Sequence, residues 1–353
     1  MASRAHPPNG RIVVVFGASR GLGKAVALRL AQEGYAVGVA AKTTENPQAG
    51  IKAKYHLEGS IEGVVREIEA FGGLALPLPW DAVTSTTEFV AALLNTIAQH
   101  FPAPKFYPHS VIYNAGALSW LSVPETTLKK FDLLMGVNGR GSFIVVKEAL
   151  QWLRKAEEFR GESADWTPKI VVVSPPIYKR FLRGKIAYAM SKIPMTAMIM
   201  SLPIDIKRNY PTSRITPCSL WPGTSVESAA TTVLSSLSSS ESGNSPATYL
   251  RKPEIWSDTI LAILSDDDKE SLEGRPLIDD DYLRERWGFK DGDFVKYRLD
   301  PNIEPRRAVP KKFPNLTVAE EEEELIDTRD LAKLSKVFGK GSIKKPANGT
   351  ARL

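Results

Sequence analysis

Arg11-Ile-Val-Val-Val-Phe16, followed at once by Gly17-Ala18-Ser19-Arg20-Gly21-Leu22-Gly23, is the stretch whose reading decides the fold. An unbroken apolar, β-branched run of this length reads as a parallel strand buried on both faces. The glycines turn the chain, and Lys24–Glu33 then offers Val26, Leu28, Leu30 and Ala31 to one helical face. A glycine turn that opens a helix leaves the first helical N–H groups unpaired and partly positive, which suits a pyrophosphate. Taken alone, the same pattern also fits a plain flexible turn.

Outward from this unit, strand and helix patterns alternate. Tyr35–Ala41 reads as a strand, Ile61–Phe71 as a helix, Leu74–Trp80 as a strand, Glu88–Phe101 as a helix and Ser110–Tyr113 as a strand. Leu128–Val137 and Ser142–Lys155 read as helices, and Lys169–Val173 as the next core strand. Such alternation implies right-handed βαβ units, and predicts an α/β architecture with a doubly wound parallel sheet over residues 11–300. Residues 1–10 precede it as an extension. Residues 101–108 read as a proline-stiffened insertion, and the Ser-rich stretch 234–248 as a mobile surface loop. From residue 301 the chain is expected to leave the globule as a charged tail. Pro301, Pro305, Pro310 and Pro314 open it, Glu320–Glu324 follow, and Leu325, Leu331, Leu334 and Phe338 align as one weak helical stripe.

Composition narrows the class. The 353 residues are 43% hydrophobic and 24% charged, as in ordinary globular proteins, and a chain of this length needs no covalent staples. A single cysteine, Cys218, excludes an intrachain disulfide and a Cys-based zinc site, and His6, His56, His100 and His109 lack metal-ligand spacing. No apolar run reaches the roughly 18 residues of a membrane span. Met1–Pro8 lacks the apolar stretch of a secretory leader. The net charge of +6 is spread along the chain among acids, so it reads as solubility with some attraction for anionic ligands, not as nucleic-acid binding.

The end of the second strand bears on the cofactor. An NAD site wants a carboxylate there for the ribose 2′-hydroxyl, whereas this chain reads Ala40-Ala41-Lys42. Lys42 and Arg20 together would neutralise a 2′-phosphate, which points to NADP (NADPH); the other reading is a solvated loop lysine. Asp81, after the third strand, is placed to touch adenine or, equally, to cap a helix.

Tyr188-Ala-Met-Ser-Lys192 sets a phenol and an ammonium at i and i+4, on one helical face. A free tyrosine titrates near pH ~10, too high for proton exchange near neutrality, and an adjacent lysine favours the phenolate. The pair lies just past a core strand, where a chance match is uncommon.

With these residues in view, the chain resembles the short-chain dehydrogenase/reductase family over about residues 10–300. The matching features are Gly17–Gly23, Asp81, Asn114-Ala115-Gly116, Asn138-Gly-Arg-Gly141, Tyr188 with Lys192, and Trp221-Pro222-Gly223-Thr224. Within that family it is most similar to the hydroxysteroid dehydrogenase-like protein 2 group. That likeness is carried by Val39–Thr43, Ser174-Pro-Pro176, Leu220–Pro222 and the stretch from Leu277 to Gly288, and the sterol-carrier domain of some members has no counterpart here.

The resemblance implies a Rossmann-type domain that interconverts a carbonyl and an alcohol. It gives Tyr188 the acid/base role, Lys192 the nicotinamide ribose and the phenol's acidity, and Asn138 a relay water. Gly17, Ser19, Arg20, Gly21, Leu22, Gly23, Asn114, Ala115, Gly116, Gly223, Thr224 and Val226 would line the cofactor, and the 234–248 loop would be the substrate lid. It also implies a homo-oligomer paired through the Leu128–Lys155 and Tyr188–Ile206 regions.

Three departures stand out. Where many relatives carry two serines, this chain has Ser174-Pro175, so either Ser174 polarises the substrate carbonyl after a register shift or that hydroxyl is missing. Tyr113 replaces the first Asn of an Asn-Asn-Ala-Gly motif. Pro194, just past Lys192, removes a helical N–H and is expected to kink the helix near the site.

The chain ends Thr350-Ala351-Arg352-Leu353. A small residue, a base and a terminal leucine match a peroxisomal import signal, so the expectation is an import-receptor partner and a peroxisomal address, with the cytoplasm as the alternative. Two functions follow for comparison. One is an NADP-dependent oxidoreductase on a hydrophobic lipid-, sterol- or secondary-metabolite-type substrate; the other is a cofactor-binding sensor or scaffold with little turnover.

Overall fold

The structure, a computed structural model, describes residues 5–45, 58–161, 167–228, 231 and 245–316. The nucleating unit forms as its sequence dictates: strand β1 (Arg11–Phe16), the glycine turn, then helix α1 (Gly21–Gln32). Strands β2 (Ala36–Ala41), β3 (Leu74–Pro79), β4 (Tyr107–Tyr113), β5 (Lys169–Val173) and β6 (Thr216–Trp221) follow, with α2 (Ile61–Ala70) and α3 (Thr87–His100) among the crossovers. The short strands β7 (Ser225–Val226) and β8 (Leu250–Arg251) pair with each other, and β9 (Pro276–Ile278) closes the main sheet. All neighbours in that sheet are parallel, in the order β3-β2-β1-β4-β5-β6-β9. The order reverses between β1 and β4, so a crevice opens at their C-terminal ends, where such sheets bind ligands.

The remaining helices are α4 (Leu128–Leu134), α5 (Gly141–Arg160), α6 (Lys179–Leu182), α7 (Ile186–Asn209), α8 (Glu254–Ser265), α9 (Lys269–Leu272) and α10 (Asp279–Trp287). Each face of the sheet carries its own core. Val13 and Val15 of β1 pack with α1, α2 and α8, while Ile12, Val14 and Phe16 pack with α3, α5 and α7. All five are fully buried, which explains the unbroken apolar run. At about 1.5–3 kcal/mol per buried aliphatic or aromatic side chain, this one strand is a major contributor to stability.

The structure refines several expectations. The two helices expected on either side of residues 138–141 are joined by a π-helical turn, Met135–Arg140. Tyr113 accounts for its departure from the Asn motif: its buried hydroxyl donates to the Val137 carbonyl inside that turn, and burial pushes its pKa up. Gly141 follows from the same contact, because a Cβ there would sit 2.7 Å from the Tyr113 hydroxyl. α7 runs on through Pro194, where a kink was expected, and the proline ring is exposed. The carbonyl deprived of its helical partner belongs to Met190, which is half exposed and can turn to water.

The tail boundary also moves. Residues 301–313 belong to the compact unit, which ends at Phe313, because Val309 is buried and Arg307 pairs with Asp280 and Asp281. Residues 5–10 are likewise tied down, through backbone bonds to Phe71, Gln32 and Gly34. Among the described residues no helix is long and apolar enough to cross a membrane. Most of the 234–248 loop, the weak stripe at 325–338 and the terminal Ala351-Arg352-Leu353 lie outside the described residues.

Candidate active site

The crevice is lined first by the glycine turn. Gly17 has φ +90°, and a Cβ there would lie 2.6 Å from the Ala115 backbone. Gly23 sits so close beneath the turn that its Cβ would lie 2.1 Å from the Gly17 carbonyl and 2.8 Å from Asn114 Nδ2. Asn114 reaches across from the end of β4, its backbone N–H donating to Phe16 (2.9 Å) and its amide to the Gly17 carbonyl (3.3 Å). Its Oδ1 is buried with no protein partner, an acceptor left for a ligand. A Cβ-free cradle with an unused acceptor at a switch point fits a dinucleotide.

Arg20 and Lys42 stand at the outer end. The Arg20 guanidinium bonds Thr43 Oγ1 (3.1 Å), the Gly59 carbonyl (3.0 Å) and the Glu58 carbonyl (3.2 Å). Lys42 is half exposed and pairs with Asp81 at 2.7 Å. Asp81 also accepts from Val83 N (2.9 Å) but does not cap α3, whose N-cap is Thr86. Burial opposes ionisation of Asp81, but Lys42 and the Val83 N–H outweigh it and hold its pKa below the usual range. Because Lys42 is 55% exposed, the pair is worth no more than about 1 kcal/mol, so its ammonium is available to a phosphate.

The inner end is built on α7. Tyr188 and Lys192 are both buried. Lys192 Nζ donates to the Val173 carbonyl at the end of β5 (2.8 Å) and faces Gly116, where a Cβ would approach it to 3.3 Å. Burial pushes the Tyr188 phenol up and the Lys192 ammonium down to about 7. Burial is the cause of both shifts, and it works against the lowering of the phenol's pKa expected from Lys192.

Asn138, in the π-turn, is fully buried and spends its amide on the Ala117 carbonyl (2.9 Å) and Ser191 Oγ (2.8 Å). Its Oδ1 accepts from Ala117 N (2.8 Å). Ser191 in turn donates to the Tyr188 carbonyl (2.7 Å), so Asn138 ties the β4 loop to the Tyr188–Lys192 turn of α7. Ser191 went unnoticed in the sequence, although its place inside the Tyr188–Lys192 spacing was the available signal.

The family comparison is unambiguous: the model described as short chain dehydrogenase matches residues 11–228. The chain belongs to the short-chain dehydrogenase family. It is 30% identical over 294 residues to hydroxysteroid dehydrogenase-like protein 2 of Xenopus laevis, covering 83% of this chain and 61% of that protein. The Homo sapiens protein of the same name is 30% identical over 287 residues, covering 79% and 60%. The chain thus spans about three fifths of the length of these relatives. A short chain dehydrogenase from Mycobacterium thermoresistibile superimposes with a TM-score of 0.67 at 27% identity, over 86% of this chain and 97% of that one.

As a short-chain dehydrogenase, the chain departs at Ser174. That residue is fully buried, and its Oγ lies 2.9 Å from Thr196 Oγ1, which donates to the Pro175 carbonyl (2.7 Å). Thr196 is eight residues beyond Tyr188, about 12 Å along the helix. The Ser174 hydroxyl is thus engaged by Thr196 of α7. Around Tyr188 the walls are aromatic instead: Phe181 lies 5.9 Å from its ring and 5.6 Å from Trp221, with Tyr178 6.0 Å from Phe181. Gly223 and Thr224 follow Trp221 at the mouth of β6, and Val226 is buried in the core beneath.

Proposed function

We propose that the chain is an NADP-dependent oxidoreductase that interconverts a carbonyl and an alcohol on a hydrophobic substrate. The observation that carries this reading is the buried Tyr188–Lys192 face of α7 set against Gly116, at the same crevice as the Gly17–Gly23 cradle. Bound NADPH supplies a hydride equivalent. The chain's own residues supply the rest. The turn N–H groups and the α1 N-terminus hold the pyrophosphate, Asn114 Oδ1 takes a donor, and Gly223 with Thr224 flank the nicotinamide end. Arg20 and Lys42 receive the 2′-phosphate, and Lys42 also offsets the charge of Asp81.

During reduction Tyr188 gives its hydroxyl proton to the substrate oxygen. A phenol that burial keeps protonated suits that direction. Lys192, with its pKa brought to about 7, exchanges protons near neutrality and can return one to Tyr188. Phe181, Tyr178 and Trp221 exclude water and favour an apolar substrate body. Ser174 Oγ is engaged by Thr196, so this reading relies on Tyr188 as the donor to the carbonyl oxygen. Pro175, in place of a second serine, supports the second reading, a cofactor-binding sensor or scaffold.

The test is consumption of NADPH and NADH against a panel of hydrophobic ketones, with wild type and Lys42→Asp. The enzyme reading expects NADPH to be preferred by about 10-fold or more, and Lys42→Asp to shift preference toward NADH. No consumption of either cofactor with any ketone would leave the scaffold reading standing.

A further inference from the structure

The turn that carries Gly223 is held from beneath by residues outside every nucleotide motif. Gly223 N donates to Asp279 Oδ1 (2.8 Å), and Asp280 Oδ1 lies only 2.2 Å from where a Cβ of residue 223 would be. Both carboxylates are buried at the start of α10. Asp280 is matched by Arg307, whose Nη1 reaches its two oxygens at 2.6 and 2.7 Å. The same guanidinium reaches Asp281 at 3.0 and 2.5 Å. The next two residues then close on the turn itself: Ala308 N and Val309 N donate to the Gly223 carbonyl at 2.7 and 3.2 Å.

The segment is also fastened on the substrate side. Arg180 Nη2 donates to the Ala308 carbonyl (2.7 Å), and Phe313 meets Tyr178 edge-on at 5.5 Å. One stretch of chain thus touches both the Gly223 turn and the aromatic wall that leads to Tyr188. Its anchor is electrostatic. Asp279, Asp280 and Asp281 are consecutive, and two buried carboxylates side by side repel unless a cation is held between them and solvent. Remove that cation, and nothing on this segment offsets the repulsion that pushes Asp280 out from under Gly223.

We propose that Arg307 is a positioning residue for the dinucleotide, holding Asp280 beneath Gly223 so that the Gly223–Val226 turn keeps its cofactor-binding shape. The inference rests on the reading above that Gly223 and Thr224 flank the nicotinamide end. Residues 301–313 then belong to the working site, and Arg307 acts from outside the stretch matched as short chain dehydrogenase.

The experiment compares full-length wild type, Arg307→Ala, Arg307→Lys and Asp281→Asn by NADPH titration and by steady-state kinetics with NADPH varied. Arg307→Ala is expected to raise the Kd and KM for NADPH about tenfold while kcat at saturating NADPH falls much less. Arg307→Lys should recover part of that loss, because a lysine restores the charge but not the fork that spans two carboxylates. Asp281→Asn leaves the buried residues in place, and should raise the Kd about threefold even if Arg307→Ala does not fold. Wild-type Kd and KM in the folded variants would overturn the inference, as would equal losses in Arg307→Ala and Arg307→Lys that track only the folded fraction. If wild type binds neither NADPH nor NADH, the functional reading falls, and this inference falls with it.

Discussion

Tyr188→Phe is expected to lower kcat by about 10²–10⁴-fold while cofactor affinity stays within about twofold. The substitution deletes one hydroxyl from a buried ring whose packing against Phe181 is unchanged, so neither the α7 helix nor the glycine cradle is disturbed. What disappears is the donor for the substrate oxygen. The Ser174 hydroxyl is already bonded by Thr196. The relevant readout is single-turnover reduction of the best ketone in the panel at saturating NADPH. Unchanged turnover would remove Tyr188 from the chemistry, and no turnover in wild type would favour the scaffold reading.

Lys192→Met has the second-largest expected effect, and it separates function from stability. Turnover should fall at least about 10²-fold, since the proton exchanger beside Gly116 is gone. Stability should move the other way at low pH. Burial brings the folded-state pKa of Lys192 to about 7, below its ordinary value, so below pH 7 the folded protein must hold a buried charge. Between pH 7 and the unfolded value near ~10.4, only the unfolded chain binds that proton, and stability from this site rises with pH. The methionine variant has no such dependence. Its melting temperature should therefore exceed that of wild type most at pH 6, with the margin shrinking by pH 9, less the cost of leaving the Val173 carbonyl without its donor. A margin that widens with pH would contradict the buried, easily deprotonated ammonium.

How much of this was legible in the sequence depends on the range of the interaction. β1 could be read from Ile12–Phe16 because burial on both faces demands an unbroken apolar run, and the core confirms it residue by residue. The Gly17–Gly23 cradle was legible for a local reason too, since only glycine tolerates those backbone approaches. β9 was not: its three residues, beginning with Pro276, are too few to show a period. The π-turn was read as a break between helices, because Gly139 and Gly141 look like stop signals when the Tyr113 hydroxyl that fills the gap is far away in sequence.

The site divides along the same line. Tyr188 and Lys192 were visible through a fixed i, i+4 spacing, and Lys42 through its place at a strand end. The partner of Lys42, the Thr196 contact of Ser174 and the clamp on Gly223 depend on pairs separated by tens of residues. Prolines and charges after residue 300 also mislead when read locally. The chain there resembles a solvated tail until Asp280 and Asp281 supply the partners that hold Arg307 in place.

The most direct test of the central claim is equilibrium binding of NADPH and NADH to the purified chain, followed by nucleotide fluorescence, with Gly23→Val alongside. The cradle requires saturable binding of NADPH, tighter than NADH, and its loss in Gly23→Val, whose side chain would collide with the Gly17 carbonyl. Absence of binding by either nucleotide to wild type, or equal binding by Gly23→Val, would contradict a dinucleotide site at the β1–β4 crevice.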